Sequence, residues 1–127
     1  MGTGEVVLYA IIGIVIIIYI RRVFLRMTIK QYTPTQLAER MDSGEVVLLD
    51  VRTSNERSVS NIHGSIHIPI NDLLREREKL EKYRSKEIVC FCQTGSRSLV
   101  AAARIRKMGF KVAHLGGGMG EWNYYYK

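Results

Sequence analysis

The sequence lacks the features of a disulfide-stabilised scaffold and of a nucleic-acid-binding protein. Its only cysteines are Cys90 and Cys92, too few for the disulfide framework of a small secreted domain. It also has no run of Lys and Arg interleaved with aromatic residues, the pattern that a nucleic-acid groove needs. We therefore expect no nucleic-acid partner, although the formal net charge is +7.

The placement of the basic residues accounts for this charge in another way. Arg21, Arg22, Arg26 and Lys30 directly follow a long apolar run, and no acidic residue lies among them. Residues 31–127 carry 15 Lys and Arg against 11 Asp and Glu, a balance of only +4. A basic cluster in this position is typical of a juxtamembrane segment that faces anionic lipid.

The apolar run, residues 6–20, predicts a transmembrane helix. As a helix it spans about 22 Å, short of the roughly 30 Å hydrocarbon core. Val23, Phe24 and Leu25 extend the apolar pattern past Arg21 and Arg22, whose long side chains can reach the interface and mark its boundary. A cleavable signal peptide would carry its charges before the run and a cleavage site after it, and a buried core segment would have nothing to pack against. The positive-inside tendency places the C-terminal domain in the cytoplasm. We expect a single-pass protein of the cell membrane, with an anchor and basic segment over residues 1–30 and one globular domain over residues 31–127.

The globular part alternates predicted strands and helices, which indicates an α/β fold with a small, mostly parallel sheet flanked by helices. Two continuous apolar runs, 46–49 and 88–91, predict strands buried on both faces. Residues 96–108 predict a helix, because apolar and basic residues occupy separate stripes. The weaker segments are a short helix after Thr33, a loop or short helix over 53–60, a strand over 66–68, a helix from Asn71 to Lys82 with Leu73, Leu74 and Leu80 inside, and a strand over 112–115.

The segment with the clearest chemistry follows the second buried strand. A cysteine at a strand-to-helix junction meets free backbone N–H groups and the positive end of the helix dipole, and both favour the reactive thiolate. Gly95 lets the loop curl into a small anion-binding nest, and Arg97 adds a cation for an anionic donor. The sequence therefore predicts nucleophilic catalysis by Cys92, in a loop formed by Gln93, Thr94, Gly95, Ser96 and Arg97.

The other chemically active residue types have simpler interpretations. Cys90, two residues earlier in the strand, is interpreted as a packed core thiol. Cys-x-Cys without further ligands is a weak metal signal, so we expect no metal ion, and no other cofactor. His63, His67 and His114 have no partner near Cys92 that the sequence identifies, and the glycines at 116–118 are interpreted as turn residues.

Four segments together resemble the rhodanese family. Residues 92–98, Cys-Gln-Thr-Gly-Ser-Arg-Ser, resemble the family's Cys-x-x-Gly-x-Arg-Ser active loop. The other three are Leu49-Asp50-Val51-Arg52 with Glu56, the segment 62–69, and Leu115-Gly116-Gly117-Gly118 followed by Trp122. Ser60, Asn61 and His63 depart from the family pattern in a turn beside the site.

The resemblance implies a rhodanese-like fold and a sulfurtransferase. Cys92 would accept a sulfane sulfur from thiosulfate or a persulfide, hold it as a cysteine persulfide and pass it to a thiol or another nucleophile. The partners would then be a small-molecule or protein sulfur donor and a thiol acceptor. Arg97 would orient the donor, Asp50 and Arg52 would be mainly structural, and Glu56 would pair with a loop arginine.

Two alternatives remain at this point. Cysteine phosphatases also place their loop between a strand and a helix, but they need five residues between the cysteine and the arginine, and here four intervene. The second alternative is a membrane-tethered docking or regulatory module that uses the same fold with little catalysis.

Overall fold

The computed structural model describes residues 1–126. It begins with a long helix and continues as a sheet with helices on both faces. In chain order the elements are α1 (Thr3–Thr28), β1 (Lys30–Tyr32), α2 (Pro34–Met41), β2 (Val46–Asp50), α3 (Ser54–Val59), β3 (Ile66–His67), two 3₁₀ segments (Ile70–Asp72 and Arg77–Tyr83), β4 (Glu87–Phe91), α4 (Ser96–Lys107), β5 (Lys111–Leu115) and α5 (Gly118–Tyr126).

All five strands are parallel and lie in the order β1-β5-β4-β2-β3. This confirms the predicted fold class, a parallel sheet flanked by helices. The central strand β4 is buried along its whole length, as its continuous apolar run predicted.

The alternation of side chains along β4 sends its residues into two core layers. Ile88, Cys90 and the following Cys92 belong to the layer between the sheet and α4. Val89 and Phe91 belong to the opposite layer, which includes residues of α2 and α5. Cys92 therefore lies on the same face of the sheet as α4, directly before that helix begins.

Helix α1 is the one helix within residues 1–126 that is long and apolar enough to cross a membrane, with a mean hydropathy of 2.3 over its most apolar window. It is longer than the apolar run and contains Arg21, Arg22 and Arg26. Its last turns contact the globular part, since Leu25 packs against the α4 side of the core.

The chain contacts the sheet and the core just before residue 31, where the sequence predicts that the globular domain starts. Ile29 is buried in the core, and Lys30 already pairs with Ala113 in the sheet. The sequence did not predict β1, because a three-residue strand with two exposed polar positions has no apolar pattern. Two residues of the predicted basic segment, Ile29 and Lys30, thus contact the globular part.

The predicted helix from Asn71 to Lys82 is wrong. The chain forms two short 3₁₀ segments there, joined by turns. Leu73 and Leu80 are buried as expected, but Leu74 is 70% exposed. Tertiary packing of these two leucines overrides the local helix propensity, and 3₁₀ geometry is common in such short connectors.

Candidate active site

Two backbone amides contact the side chain of Cys92 at the end of β4. The amides of Gly95 and Ser98 donate hydrogen bonds to Sγ over 3.0 and 3.3 Å. The thiol can in turn donate to Ser98 Oγ, 3.6 Å away. Ser98 belongs to the first turn of α4, where backbone N–H groups have no helical partner and carry partial positive charge. These donors suit a negatively charged sulfur, and the residue is fully buried.

Gly95 makes this arrangement possible. Its φ of 104° lies in the left-handed region, which favours glycine, and it turns the chain into α4. A Cβ at this position would also lie within 3.4 Å of the backbone nitrogen of Gly117. The exposed residues Gln93, Thr94 and Ser96 complete the loop.

The guanidinium of Arg97 pairs with Glu56. Its two terminal nitrogens donate to the two carboxylate oxygens of Glu56 over 2.8 and 2.9 Å. This hydrogen-bonded pair holds the pKa of Glu56 at about 2, well below its usual range. Glu56 also accepts from the amide of Thr53 and so caps α3. The cation that we expected to orient a donor is thus neutralised by a carboxylate in this structure.

Asp50 and Arg52 form a buried ion pair below the loop. Arg52 donates from Nε and from Nη2, one of its two terminal nitrogens, to the two carboxylate oxygens of Asp50, each over 3.0 Å. Both side chains are almost completely buried. The second terminal nitrogen of Arg52 donates to Gln93 Oε1 over 3.3 Å. The pair therefore connects the end of β2 to the active loop.

Arg57 is a member of this network that the sequence did not reveal. It donates to Asp50 Oδ2 over 3.2 Å and to the hydroxyl and carbonyl oxygens of Ser65. Because it lies in a polar segment with no periodic pattern, no signal in the sequence distinguished it from a surface arginine.

The glycines at 116–118 do more than form a turn. The first amides of α5 donate to the loop: Met119 N to the carbonyl of Cys92 over 2.8 Å, and Gly120 N to the carbonyl of Gln93 over 3.1 Å. Gly118 has φ +58°, and a Cβ there would collide with the carbonyl oxygen of Cys92. Helix α5 therefore holds the active loop from the side opposite α4.

His114 lies closer to Cys92 than the sequence indicated. Its Nδ1 is 3.3 Å from Ser98 Oγ, the hydroxyl that neighbours the Cys92 sulfur. Burial lowers the pKa of His114, with a further contribution from the charge of Arg26. Parallel pairing of β4 with β5 sets His114 beside Cys90, two residues before Cys92. The linear spacing of the sequence does not show this neighbourhood.

The remaining candidates lie elsewhere. Cys90 is fully buried in the core, and burial raises the pKa of its thiol. His67 Nε2 is 2.8 Å from the carbonyl oxygen of Arg52. Within residues 1–126 no three His, Cys, Asp or Glu side chains come together in a way that could hold a metal ion.

The chain belongs to the rhodanese family, because the family model "Rhodanese-like domain" matches residues 33–124. It is similar to "Putative sulfurtransferase YtwF" of Bacillus subtilis, with 33% identity over 97 residues that cover 76% of this chain and 92% of that protein. It is also 39% identical over 93 residues to "Probable adenylyltransferase/sulfurtransferase MoeZ" of Mycobacterium tuberculosis, covering 71% of this chain but only 24% of that longer protein.

Solved structures agree with this assignment. A rhodanese-related protein from Thermoplasma volcanium superposes with a TM-score of 0.70 at 28% identity, covering 76% of this chain and 93% of that one. A Rhodopseudomonas palustris protein described as a "Possible Tyrosine Phosphatase" gives 0.71 at 29% identity, covering 80% and 84%. The relatives named as sulfurtransferases support sulfur transfer as the general function of the family.

Proposed function

We propose that this protein is a sulfurtransferase in which Cys92 carries the transferred sulfur as a persulfide. The observation that supports the proposal most directly is the pair of amides, Gly95 and Ser98, that donate to Cys92 Sγ. These donors can stabilise the anionic Sγ of the free thiolate, both as the attacking nucleophile and as the group released when the sulfur is passed on.

The reaction has two steps. The Cys92 thiolate attacks the outer sulfur of a donor such as thiosulfate, so that an S–S bond forms on Cys92 and sulfite leaves with the electron pair of the broken bond. The thiolate of an acceptor then attacks the outer sulfur of the persulfide. The sulfur moves to the acceptor as a new persulfide, and Cys92 returns as a thiolate.

Intact-protein mass spectrometry after incubation with thiosulfate tests the proposal. We expect one added sulfur in the wild-type protein and in Cys90→Ala, and none in Cys92→Ala. The Cys90→Ala variant is a matched control because both cysteines are fully buried but only Cys92 has the amide donors. Absence of the added sulfur from the wild-type protein would favour the alternative, a docking or regulatory module of the same fold.

Phosphatase activity, the class named for the Rhodopseudomonas palustris protein, is the less suitable chemistry. Only Gln93, Thr94, Gly95 and Ser96 separate Cys92 from Arg97, and the amides of Gly95 and Ser98 converge on the sulfur itself. Release of phosphate from a small ester faster than sulfur transfer would contradict this ranking.

We further propose that α1 anchors the protein in the cell membrane with the rhodanese domain in the cytoplasm. The length and hydropathy of α1 support insertion, and the cations at its C-terminal end support the orientation. Protease treatment of intact cells from outside should leave the C-terminal domain uncut. Digestion of the domain under these conditions would contradict the orientation.

A further inference from the structure

A groove of about 480 Å³ separates the C-terminal part of α1 from α4. One wall comes from neighbouring turns of α1, including Ile20, Phe24 and Leu25, and the other includes Val100 and Ala103 of α4. The α4 residues follow the i, i+3, i+4, i+7 spacing of one helix face, completed by Arg104 and Lys107. The apolar residues of both walls together form the floor of the groove.

Four cations surround this floor: Arg21 from α1 and Arg104, Arg106 and Lys107 from α4. No acidic residue lines the groove, and none of the four cations has a carboxylate within salt-bridge distance among residues 1–126. Arg106 also donates to the carbonyl of Thr28 over 3.2 Å, a contact that joins the two helices at this place. The cations therefore have charge available for a ligand.

The groove begins where the uncharged stretch of α1 ends. Ile20 is the last residue of the apolar run and Arg21 the first cation after it. The apolar part of an amphipathic ligand can therefore contact Ile20, and its anionic part can contact Arg21. With α1 in a bilayer, this level of the helix lies near the lipid phosphates. An acyl chain can contact Ile20 and Phe24 while the cations contact the headgroup.

We propose that this groove binds an anionic phospholipid of the membrane in which α1 is inserted. The phosphodiester would pair with the cations of α1 and α4, and the proximal acyl chain would cover the exposed face of Phe24. The bound lipid would thereby connect the anchor to the sulfurtransferase domain. This inference rests on the proposed membrane insertion of α1 and is independent of the chemistry of Cys92.

Native mass spectrometry of the full chain, released from nanodiscs of equal phosphatidylglycerol and phosphatidylcholine, tests the proposal. The wild-type protein should retain phosphatidylglycerol in preference to phosphatidylcholine. Arg104→Gln combined with Lys107→Gln should reduce that preference on the order of ten- to thirty-fold, because each cation near an anionic surface contributes about 1 kcal/mol. Lys79→Gln with Lys82→Gln removes the same charge from the second 3₁₀ segment, which does not line the groove, and should retain lipid as the wild type does.

Equal retention of the two lipids by the wild type, or undiminished preference in the groove variant, would overturn the lipid site. Retention of a second copy of the chain in place of lipid, lost in the same variant, would identify a self-interface and also overturn it. Extraction of wild-type protein from membranes by alkaline carbonate would instead overturn the anchor and the lipid site together. Sulfur loading of both variants, measured in the same spectra, should equal that of the wild type, so a failure at Cys92 is distinguishable from a failure of the groove.

Discussion

The backbone amide of Met119 donates a 2.8 Å hydrogen bond to the carbonyl oxygen of Cys92. The amides of Gly95 and Ser98 bind the sulfur of the same residue from the other direction. Cys92 is therefore fixed at both its backbone and its side chain, the first by α5 and the second by α4. Helix α5 is therefore part of the structure that holds the loop of Cys92 in place.

We predict that Gly118→Ala both destabilises the protein and impairs sulfur loading. A Cβ there meets the Cys92 carbonyl and the backbone of Gln93, and a positive φ costs alanine about 1–2 kcal/mol by itself. Gly44→Ala is the matched control, because Gly44 has φ +73° but nothing within 4 Å of its Cβ position. Urea unfolding should give a loss of about 1 kcal/mol for the control and a clearly larger loss for Gly118→Ala. Normal sulfur loading by Gly118→Ala would contradict the role of α5.

The Glu56–Arg97 pair predicts a specific dependence of stability on pH. The folded-state pKa of Glu56 is about 2, below that of an unfolded glutamate, so its contribution is complete above about pH 5 and is lost as the pH falls towards 2. Solvent screening limits the contribution to about 1 kcal/mol, because the pair is partly exposed. Glu56→Gln should therefore be less stable than the wild type at pH 7, and the difference should shrink as the pH approaches 2. Glu81→Gln, at an exposed pair with Arg84, should show a smaller difference. A difference in free energy of unfolding between wild type and Glu56→Gln that stays constant from pH 7 to pH 2 would contradict the pairing.

The buried pair under the loop predicts a large cost for removing one partner alone. Arg52→Met leaves the partly exposed Arg57 as the only cation paired with the Asp50 carboxylate, and breaking a buried ion pair in this way costs about 3–5 kcal/mol. Adding Asp50→Asn should recover part of this loss, because the buried carboxylate that has lost its buried partner becomes neutral. Urea unfolding of the two single variants and the double variant measures this coupling. Arg75→Met, at the exposed pair with Asp72, should cost at most about 1 kcal/mol.

The boundary of the domain can be tested by truncation. Deleting residues 1–28 should release a folded domain from membranes, because Ile29 and β1 remain. Deleting residues 1–30 should also release it but lower its free energy of unfolding by about 2–3 kcal/mol, since the buried Ile29 is lost. Circular dichroism during urea unfolding of the two fragments gives the comparison. Equal stability of the fragments would place the domain boundary at residue 31 after all.

The parts of the fold that sequence predicted well are those with a strong local pattern. The two buried strands that end at Asp50 and just before Cys92 were evident from continuous apolar runs, and α4 from its separate apolar and basic stripes. The failures share a physical cause: β1 and the 3₁₀ segments owe their conformation to contacts with distant parts of the chain. Leu74 illustrates this. Local helical spacing predicted that Leu74 would be buried, but the chain packs Leu73 into the core and leaves Leu74 exposed.

The candidate site divides in the same way. The sequence points to the loop residues as candidates because a strand, a glycine and an arginine in succession specify a local geometry. Arg57, His114 and Gly118 were missed because each reaches the site from another element, through strand pairing or helix packing. Their linear distance from Cys92 gave no signal that they would be neighbours.

The complete burial of Cys92 has a kinetic consequence. Since Cys92 is shielded from solvent in this conformation, a donor or acceptor can reach Sγ only after the loop whose amides contact it has moved. The opening rate of the loop is then an upper limit for turnover, whatever the concentration of the partners. A sulfur bound to Cys92 would also be shielded from reductants and oxidants between the two half-reactions. The rate of transfer would then depend on loop opening and not on the rate of encounter with a partner.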